Sequence, residues 1–120
     1  MVLVDTSVWI DHLRRGDPHL RRLLRAGQVA IHSFIVGEIA CGSLANRAEL
    51  FTLLHALPQT KTASHEEIIR FIEEQALHGK GLGLVDVHLL ASARLSHLPI
   101  WTRDKTLHRV AAALGVAYRQ

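Results

Sequence analysis

The sequence has few of the residues that cross-link or rigidify a small protein. Its 120 residues include one cysteine, Cys41, and three prolines, and aromatic residues make up only 5%. A single cysteine excludes an internal disulfide and is typical of a reducing compartment. No apolar run approaches the roughly 18 residues that a membrane span needs. No basic region precedes Asp5, so we expect no signal peptide and a cytoplasmic location.

The composition is that of a folded domain. Hydrophobic residues make up 48% of the chain and charged residues 21%, which excludes a disordered protein. The length allows one domain with a real core, so we expect residues 1–120 to form a single domain. The net charge of +3 permits a polyanionic partner without requiring one.

Short apolar runs alternate with helical patterns along the chain. This alternation is typical of an α/β fold with a mainly parallel sheet covered by helices on both faces. We predict four to five strands, at residues 1–4, 29–31, 99–102 and 116–118, with a weak edge strand at 60–63. The predicted helices lie at about 8–15, 17–26, 34–42, 46–55, 64–78, 84–97 and 104–114.

Two aspartates directly follow predicted strands. Asp5 ends the apolar stretch Met1–Val4, and Asp104 follows the strand that contains Trp101. If these strands pair, both carboxylates lie at neighbouring strand tips, where ligands of open α/β sheets collect. The alternative for each is a structural one, since Asp commonly caps the amino terminus of a helix.

Two further acids lie on helices at positions that we predict to be apolar. The helical neighbours of Glu38 include Phe34 and Cys41, and those of Asp86 include Leu90. A buried carboxylate costs several kcal/mol unless a basic partner or a cation meets it. No Lys or Arg lies within a helical turn of either acid, so the sequence leaves a distant basic partner and a bound cation as the two possibilities.

Together the four acids predict a site for a hard divalent cation. Carboxylate oxygens suit Mg²⁺ or Mn²⁺ better than Zn²⁺. The nine histidines include no pair three or four residues apart, which argues against a structural zinc site. Carboxylate-bound divalent ions are the usual apparatus of phosphodiester hydrolysis.

One stretch of the chain is rich in arginine. Five arginines lie between residues 14 and 25, namely Arg14, Arg15, Arg21, Arg22 and Arg25. They are either a solvated face or a rim that contacts RNA phosphates beside the acids. Arg103, Lys105 and Arg109 are candidates to extend such a rim.

The motifs in this order resemble the PIN-domain ribonucleases, and in particular the VapC toxins of toxin–antitoxin pairs. The similarity covers nearly the whole chain and depends on four short segments, Val4–Ser7, Gly37–Ile39, Leu84–Asp86 and Thr102–Asp104. It implies a three-layer α/β/α fold and an endoribonuclease that depends on Mg²⁺ or Mn²⁺. Many relatives have a Phe shortly after the last acid, where this chain has Lys105-Thr106-Leu107.

The resemblance also assigns roles to particular residues. It makes Asp5, Glu38, Asp86 and Asp104 the catalytic and metal-binding acids, with Ser7 and Thr102 as supporting hydroxyls. It implies an RNA substrate, such as tRNA, a cognate antitoxin and a homodimer. The alternatives are a PIN nuclease of RNA maturation and a non-catalytic RNA- or protein-binding module. The apolar residues Trp9, Leu13 and Leu20 are either core or part of a groove for the antitoxin.

Overall fold

The computed structural model describes residues 1–120 and contains three strands and seven helices. The strands are β1 (Val2–Val4), β2 (Val29–Ala30) and β3 (Ile100–Trp101). The helices are α1 (Thr6–Arg15), α2 (Pro18–Arg25), α3 (Ser33–Ala40), α4 (Arg47–Ala56), α5 (His65–Glu74), α6 (Leu84–Ser96) and α7 (Lys105–Ala113). No helix is both long enough and apolar enough to cross a membrane.

The strands form one parallel sheet in the order β2-β1-β3. Leu3 pairs with Ala30 on one side and with Ile100 on the other. The chain therefore runs from the central strand to one edge and later returns to the opposite edge. Such a reversal opens a crevice beyond the carboxyl end of the central strand, and Asp5 lies there. The predicted α/β class with a parallel sheet is confirmed.

The predicted number of four to five strands is wrong. Gln59 and Ala117 each form a single parallel bridge, to Ile31 and Ile100 respectively. Each bridge consists of two backbone hydrogen bonds to one residue, and neither extends into a ladder. The reason is that β2 and β3 are themselves only two residues long, so an outer segment finds little backbone with which to pair.

The core is one hydrophobic cluster of 23 buried residues around β1. All three residues of β1 are buried, which fixes the position of Asp5 at the end of a rigid strand. Trp9 and Leu20 are fully buried, so they belong to this core and not to an open groove. Leu13 is 37% exposed and lines a cavity of about 640 Å³ between α1 and α4.

Candidate active site

Asp5 is buried and is held by two hydroxyl groups. Its Oδ2 accepts a hydrogen bond from Ser7 Oγ at 2.7 Å and another from Thr102 Oγ1 at 2.8 Å. Asp5 is the N-cap residue of α1, but its side chain makes no capping hydrogen bond. The carboxylate is therefore oriented by side chains and not by the helix, which argues against the structural alternative for this residue.

The turn between β3 and α7 brings the last acid to the same edge. Val4 pairs with Trp101, so Thr102 lies beside Asp5 across the two strand tips. Asp104 caps α7 through a hydrogen bond from Leu107 N to Oδ1 at 3.0 Å. The capping role predicted as the alternative for Asp104 is thus present, although capping occupies only one of its two oxygens.

Glu38 reaches the site from α3, but not from a buried face as predicted. Ile35 and Ile39 are the buried residues of this helix, whereas Glu38 is exposed and Phe34 is 41% exposed. The prediction failed because α3 is apolar nearly all round, so its sequence does not show which side faces the core. Thr6, the residue after Asp5, donates a hydrogen bond from Oγ1 to Glu38 Oε1 at 2.6 Å, which ties this carboxylate to the start of α1.

Asp86 lies in the first turn of α6, as predicted. Its Oδ2 accepts a hydrogen bond from Gly83 N at 3.0 Å. Burial raises the pKa of Asp86, and the negative charges of Asp5 and Asp104 raise it further, while the hydrogen bond from Gly83 opposes them. Because Asp5 and Asp104 contribute to this shift, three of the four acids lie close enough to interact electrostatically.

The four carboxylates have a common arrangement of hydrogen bonds. In each, one oxygen is bound by the protein and the other accepts no hydrogen bond from it. The free oxygens are Oδ1 of Asp5, Oε2 of Glu38, Oδ1 of Asp86 and Oδ2 of Asp104. Metal-binding carboxylates are commonly oriented in this way by outer hydrogen bonds.

No basic side chain neutralises these acids. The salt bridges of the molecule join Arg15 to Asp11, and Arg103 to both Asp11 and Asp17. A basic partner was one of the two possibilities that the sequence left open for Glu38 and Asp86, and neither residue has one. No three acidic, histidine or cysteine side chains are close enough to enclose an ion by themselves. Mg²⁺ is commonly held by only one or two carboxylates and several waters, so the oxygen donors fit such an ion.

Two arginines of the predicted rim, Arg14 and Arg15, lie away from Asp5. Arg14 and Arg15 occupy the last turn of α1, about 13 to 15 Å along the helix from Asp5. Both are exposed, and Arg15 is 3.5 Å from Asp11. Arg21, Arg22 and Arg25 are also exposed, on α2. A role for Arg14 and Arg15 in RNA binding therefore requires a substrate that extends beyond the carboxylates.

Two histidines without a predicted role are buried at the start of α3 and on α6, the helices that carry Glu38 and Asp86. His32 is 1% exposed, and its Nδ1 caps α3 by accepting a hydrogen bond from Phe34 N at 2.9 Å. His88 is 8% exposed and packs against the Phe34 ring, with 4.7 Å between ring centroids. Burial lowers the pKa of both histidines. The one signal of His32 in the sequence was its position directly before a predicted helix, where Ser, Thr, Asp or Asn is the usual residue.

The raised pKa of Asp86 leads to a prediction about stability. We expect Asp86→Asn to raise the free energy of unfolding of the metal-free protein at pH 7. The folded state keeps the Asp86 proton to higher pH than the unfolded chain does, so stability falls as pH rises from about 4 through the raised pKa. Urea unfolding in EDTA should therefore show a gain at pH 7 that disappears at acidic pH. Glu66→Gln removes an exposed carboxylate from the first turn of α5 and is the control; an equal gain there would contradict the prediction.

Known proteins resemble this chain in sequence and in fold. A family model described as the PIN domain matches residues 2–113. Ribonuclease VapC32 of Mycobacterium tuberculosis, from strains CDC 1551 / Oshkosh and ATCC 25618 / H37Rv, is 42% identical over 118 residues, which cover 98% of this chain and 95% of the relative. The crystal structure of PAE2754 from Pyrobaculum aerophilum superposes with a TM-score of 0.60 at 18% identity, over 95% of this chain and 88% of that one.

These matches confirm the resemblance inferred from the motifs. The family model includes all four acids, from Asp5 to Asp104, and the archaeal structure shares the fold. The identity to VapC32 extends over nearly the full length of both proteins. The chain therefore belongs to the PIN-domain family and, within it, to the VapC group.

Proposed function

We propose that this protein is a divalent-cation-dependent endoribonuclease and the toxin of a type II toxin–antitoxin pair. The observation that carries the proposal is that Asp5, Asp86 and Asp104 are close enough to interact electrostatically, while Glu38 is bound by Thr6, the residue after Asp5; each of the four carboxylates has one bound and one free oxygen, and none pairs with a basic residue. The name of its relative, Ribonuclease VapC32, supports RNA as the substrate.

The residues of the chain have distinct tasks in this proposal. Asp5 and Asp86 are the firmest candidates to hold Mg²⁺ or Mn²⁺, and Asp104 and Glu38 complete the acidic set. Ser7 and Thr102 orient Asp5 through the two hydrogen bonds to its Oδ2. When bound, the cation supplies charge neutralisation at the phosphate and makes a bound water more acidic. The carboxylates alone would repel the RNA backbone, which is why we expect binding of RNA without the cation to be weak.

The proposal includes partners and a location. We propose a cognate antitoxin protein and a homodimer, and a cytoplasmic site of action where RNA is available. The partly exposed apolar side chains along the cavity between α1 and α4, among them Leu13 and Leu53, are candidate contacts for a partner protein. Trp9 and Leu20 are not, because both are fully buried.

Induction in living cells tests the proposed toxin role. We expect expression of the wild-type chain to arrest growth within a few generations, and expression of Asp86→Asn at equal soluble level to leave growth normal. Sequencing of RNA 5′ ends after induction should show new ends at a few discrete sites, in tRNA or another essential RNA. Glu66→Gln should arrest growth like the wild type.

The alternatives give different results in the same experiment. Discrete cleavage with normal growth would contradict the toxin role and favour a PIN nuclease of RNA maturation. Normal growth without new RNA ends, together with no Mn²⁺ binding by calorimetry, would favour a non-catalytic binding module and overturn the proposal.

A further inference from the structure

We propose that Arg103 is a positioning residue, which fixes the turn that carries Thr102 and Asp104 by tying it to α1 and to the start of α2. The catalytic consequence rests on the proposed nuclease function. The structural part, that the side chain of Arg103 immobilises this turn, rests only on the contacts described below.

The turn needs such support because it belongs to no regular element. β3 ends at Trp101 and α7 begins at Lys105, so residues 102–104 are held by individual hydrogen bonds. Arg103 N donates to Ser7 Oγ at 3.0 Å, and Asp104 N donates to Thr102 Oγ1 at 3.1 Å. The same two hydroxyls orient Asp5, so displacement of the turn would disturb Asp5 and Asp104 together.

The side chain of Arg103 binds two acids that are not among the four candidate site residues. Its Nη1 is 3.2 Å from Asp11 Oδ2 on α1, and its Nη2 donates to Asp17 Oδ2. The guanidinium also lies over the indole ring of Trp101, 5.9 Å from the ring centroid. Trp101 is 6% exposed. One side chain therefore connects the turn to two helices and to the last residue of β3.

Asp17 can hold Arg103 without giving up its role in α2. Its Oδ1 caps the helix by accepting from Leu20 N at 2.9 Å, whereas Arg103 binds the other oxygen. Burial raises the pKa of Asp17, but the hydrogen bond from Leu20 and the Arg103 guanidinium outweigh it, and the pKa lies below its ordinary value. The Asp17 side chain is 15% exposed. The Arg103 side chain is 42% exposed, so what fixes the geometry of this pair is its charge-assisted hydrogen bond to the less exposed Asp17 and not burial of both partners.

The same contacts argue against Arg103 as a direct phosphate ligand. Two carboxylates already neutralise its charge, so contact with an RNA phosphate would compete with both ion pairs. A residue that binds phosphate and a residue that positions the site differ in their kinetics. Loss of a phosphate contact weakens substrate binding and reduces the salt dependence, by a slope of about one for each phosphate. Loss of positioning lowers kcat and leaves KM nearly unchanged.

The test compares Arg103→Gln with wild type on an RNA oligonucleotide that contains the strongest cleavage site mapped in cells, in the presence of Mn²⁺. We expect kcat to fall on the order of 10- to 100-fold, with KM and the salt slope unchanged. Arg103→Lys should recover part of the loss, because a point charge can satisfy only one of the two carboxylates well. Arg94→Gln removes an exposed charge from the last turn of α6 and should leave kcat unchanged.

A double-mutant cycle isolates the contact with Asp17. Asp17→Asn keeps an oxygen to cap α2 but removes the charge that binds Arg103. If Asp17 acts only through Arg103, the double variant should be about as slow as Arg103→Gln alone; Asp17→Asn by itself should be less slow, because Asp11 still binds Arg103. Additive losses would show that Arg103 acts through something other than Asp17. If Arg103→Gln fails to fold, Arg103→Lys and Asp17→Asn carry the same comparison.

Amide hydrogen exchange separates this inference from the proposed function. In Arg103→Gln the amides of Arg103 and Asp104 should exchange faster, while those of β1 remain protected. This measurement needs no RNA. If the wild type proves inactive, the nuclease proposal fails, but hydrogen exchange still tests whether Arg103 holds the turn. Unchanged exchange with unchanged kcat would overturn the positioning role, as would a raised KM with unchanged kcat.

Discussion

Asp5→Asn is expected to lower the rate of RNA cleavage by at least about 100-fold, since a divalent cation at a phosphoryl centre contributes several kcal/mol of transition-state stabilisation. The substitution removes the charge that would hold the cation. It leaves one oxygen to accept the hydrogen bonds from Ser7 and Thr102, so the strand tips should keep their arrangement. Cleavage of an RNA oligonucleotide followed on a gel measures the loss.

The control for this variant is its stability. We expect the Tm of Asp5→Asn to lie within about 5 °C of wild type, equivalent to about 1 kcal/mol for a domain of this size. We choose Asn over Ala as the substitution at position 5 because Ala would leave the Ser7 and Thr102 hydroxyls without an acceptor. Full activity of folded Asp5→Asn would rule out the mechanism, whereas an unfolded variant would require the same measurement on Asp86→Asn.

Removal of divalent cations is expected to have an effect of similar size. Excess EDTA should reduce RNA cleavage by the wild-type protein to background, and added Mg²⁺ or Mn²⁺ should restore it. The physical reason is that four carboxylates with no basic partner repel a phosphate backbone unless a cation lies between them. The loss of activity should be reversible, so protein transferred from EDTA into Mg²⁺ or Mn²⁺ should regain its full rate.

Calorimetry gives an independent measure of the same site. Mn²⁺ should bind wild type, and Asp86→Asn should weaken binding by at least about 10-fold, the lower end of the losses seen on disturbing metal-site ligands and their partners. Glu66→Gln, which changes an exposed acid on α5, should bind as wild type does. Cleavage that persists in EDTA, with no detectable Mn²⁺ binding, would contradict a cation-dependent mechanism.

The sequence predicted the central part of the site because it depends on local patterns. An apolar strand that ends in an acid could be recognised from Val2–Asp5. The pairing of this strand with the one before Thr102 was a condition that the sequence left open, and the structure shows it. Helix starts at Asp17 and Ser64 were also visible, since each has a side chain that caps the helix.

The features that the sequence did not predict depend on tertiary contacts. The outward face of α3 could not be recognised, because residues at nearly every position of the helix are apolar and burial is decided by what packs on it. The same holds for strand number, since Val116–Tyr118 has the composition of a strand but pairs as a strand only with Ile100. The ion pairs of Arg103 join residues up to 92 positions apart (103 and 11), and no local pattern reports such a pair.

The pairing of Ser7 and Thr102 with Asp5 has a consequence for synthesis. Thr102 is 97 residues from Asp5 in the chain, and contacts between such distant residues form only after a large loop has closed. A growing chain on the ribosome lacks the turn after β3 until residues 102–104 have been added. In the proposed function, the growing chain should therefore remain inert towards the RNA of the ribosome that is translating it, and chains truncated before Thr102 should not arrest growth.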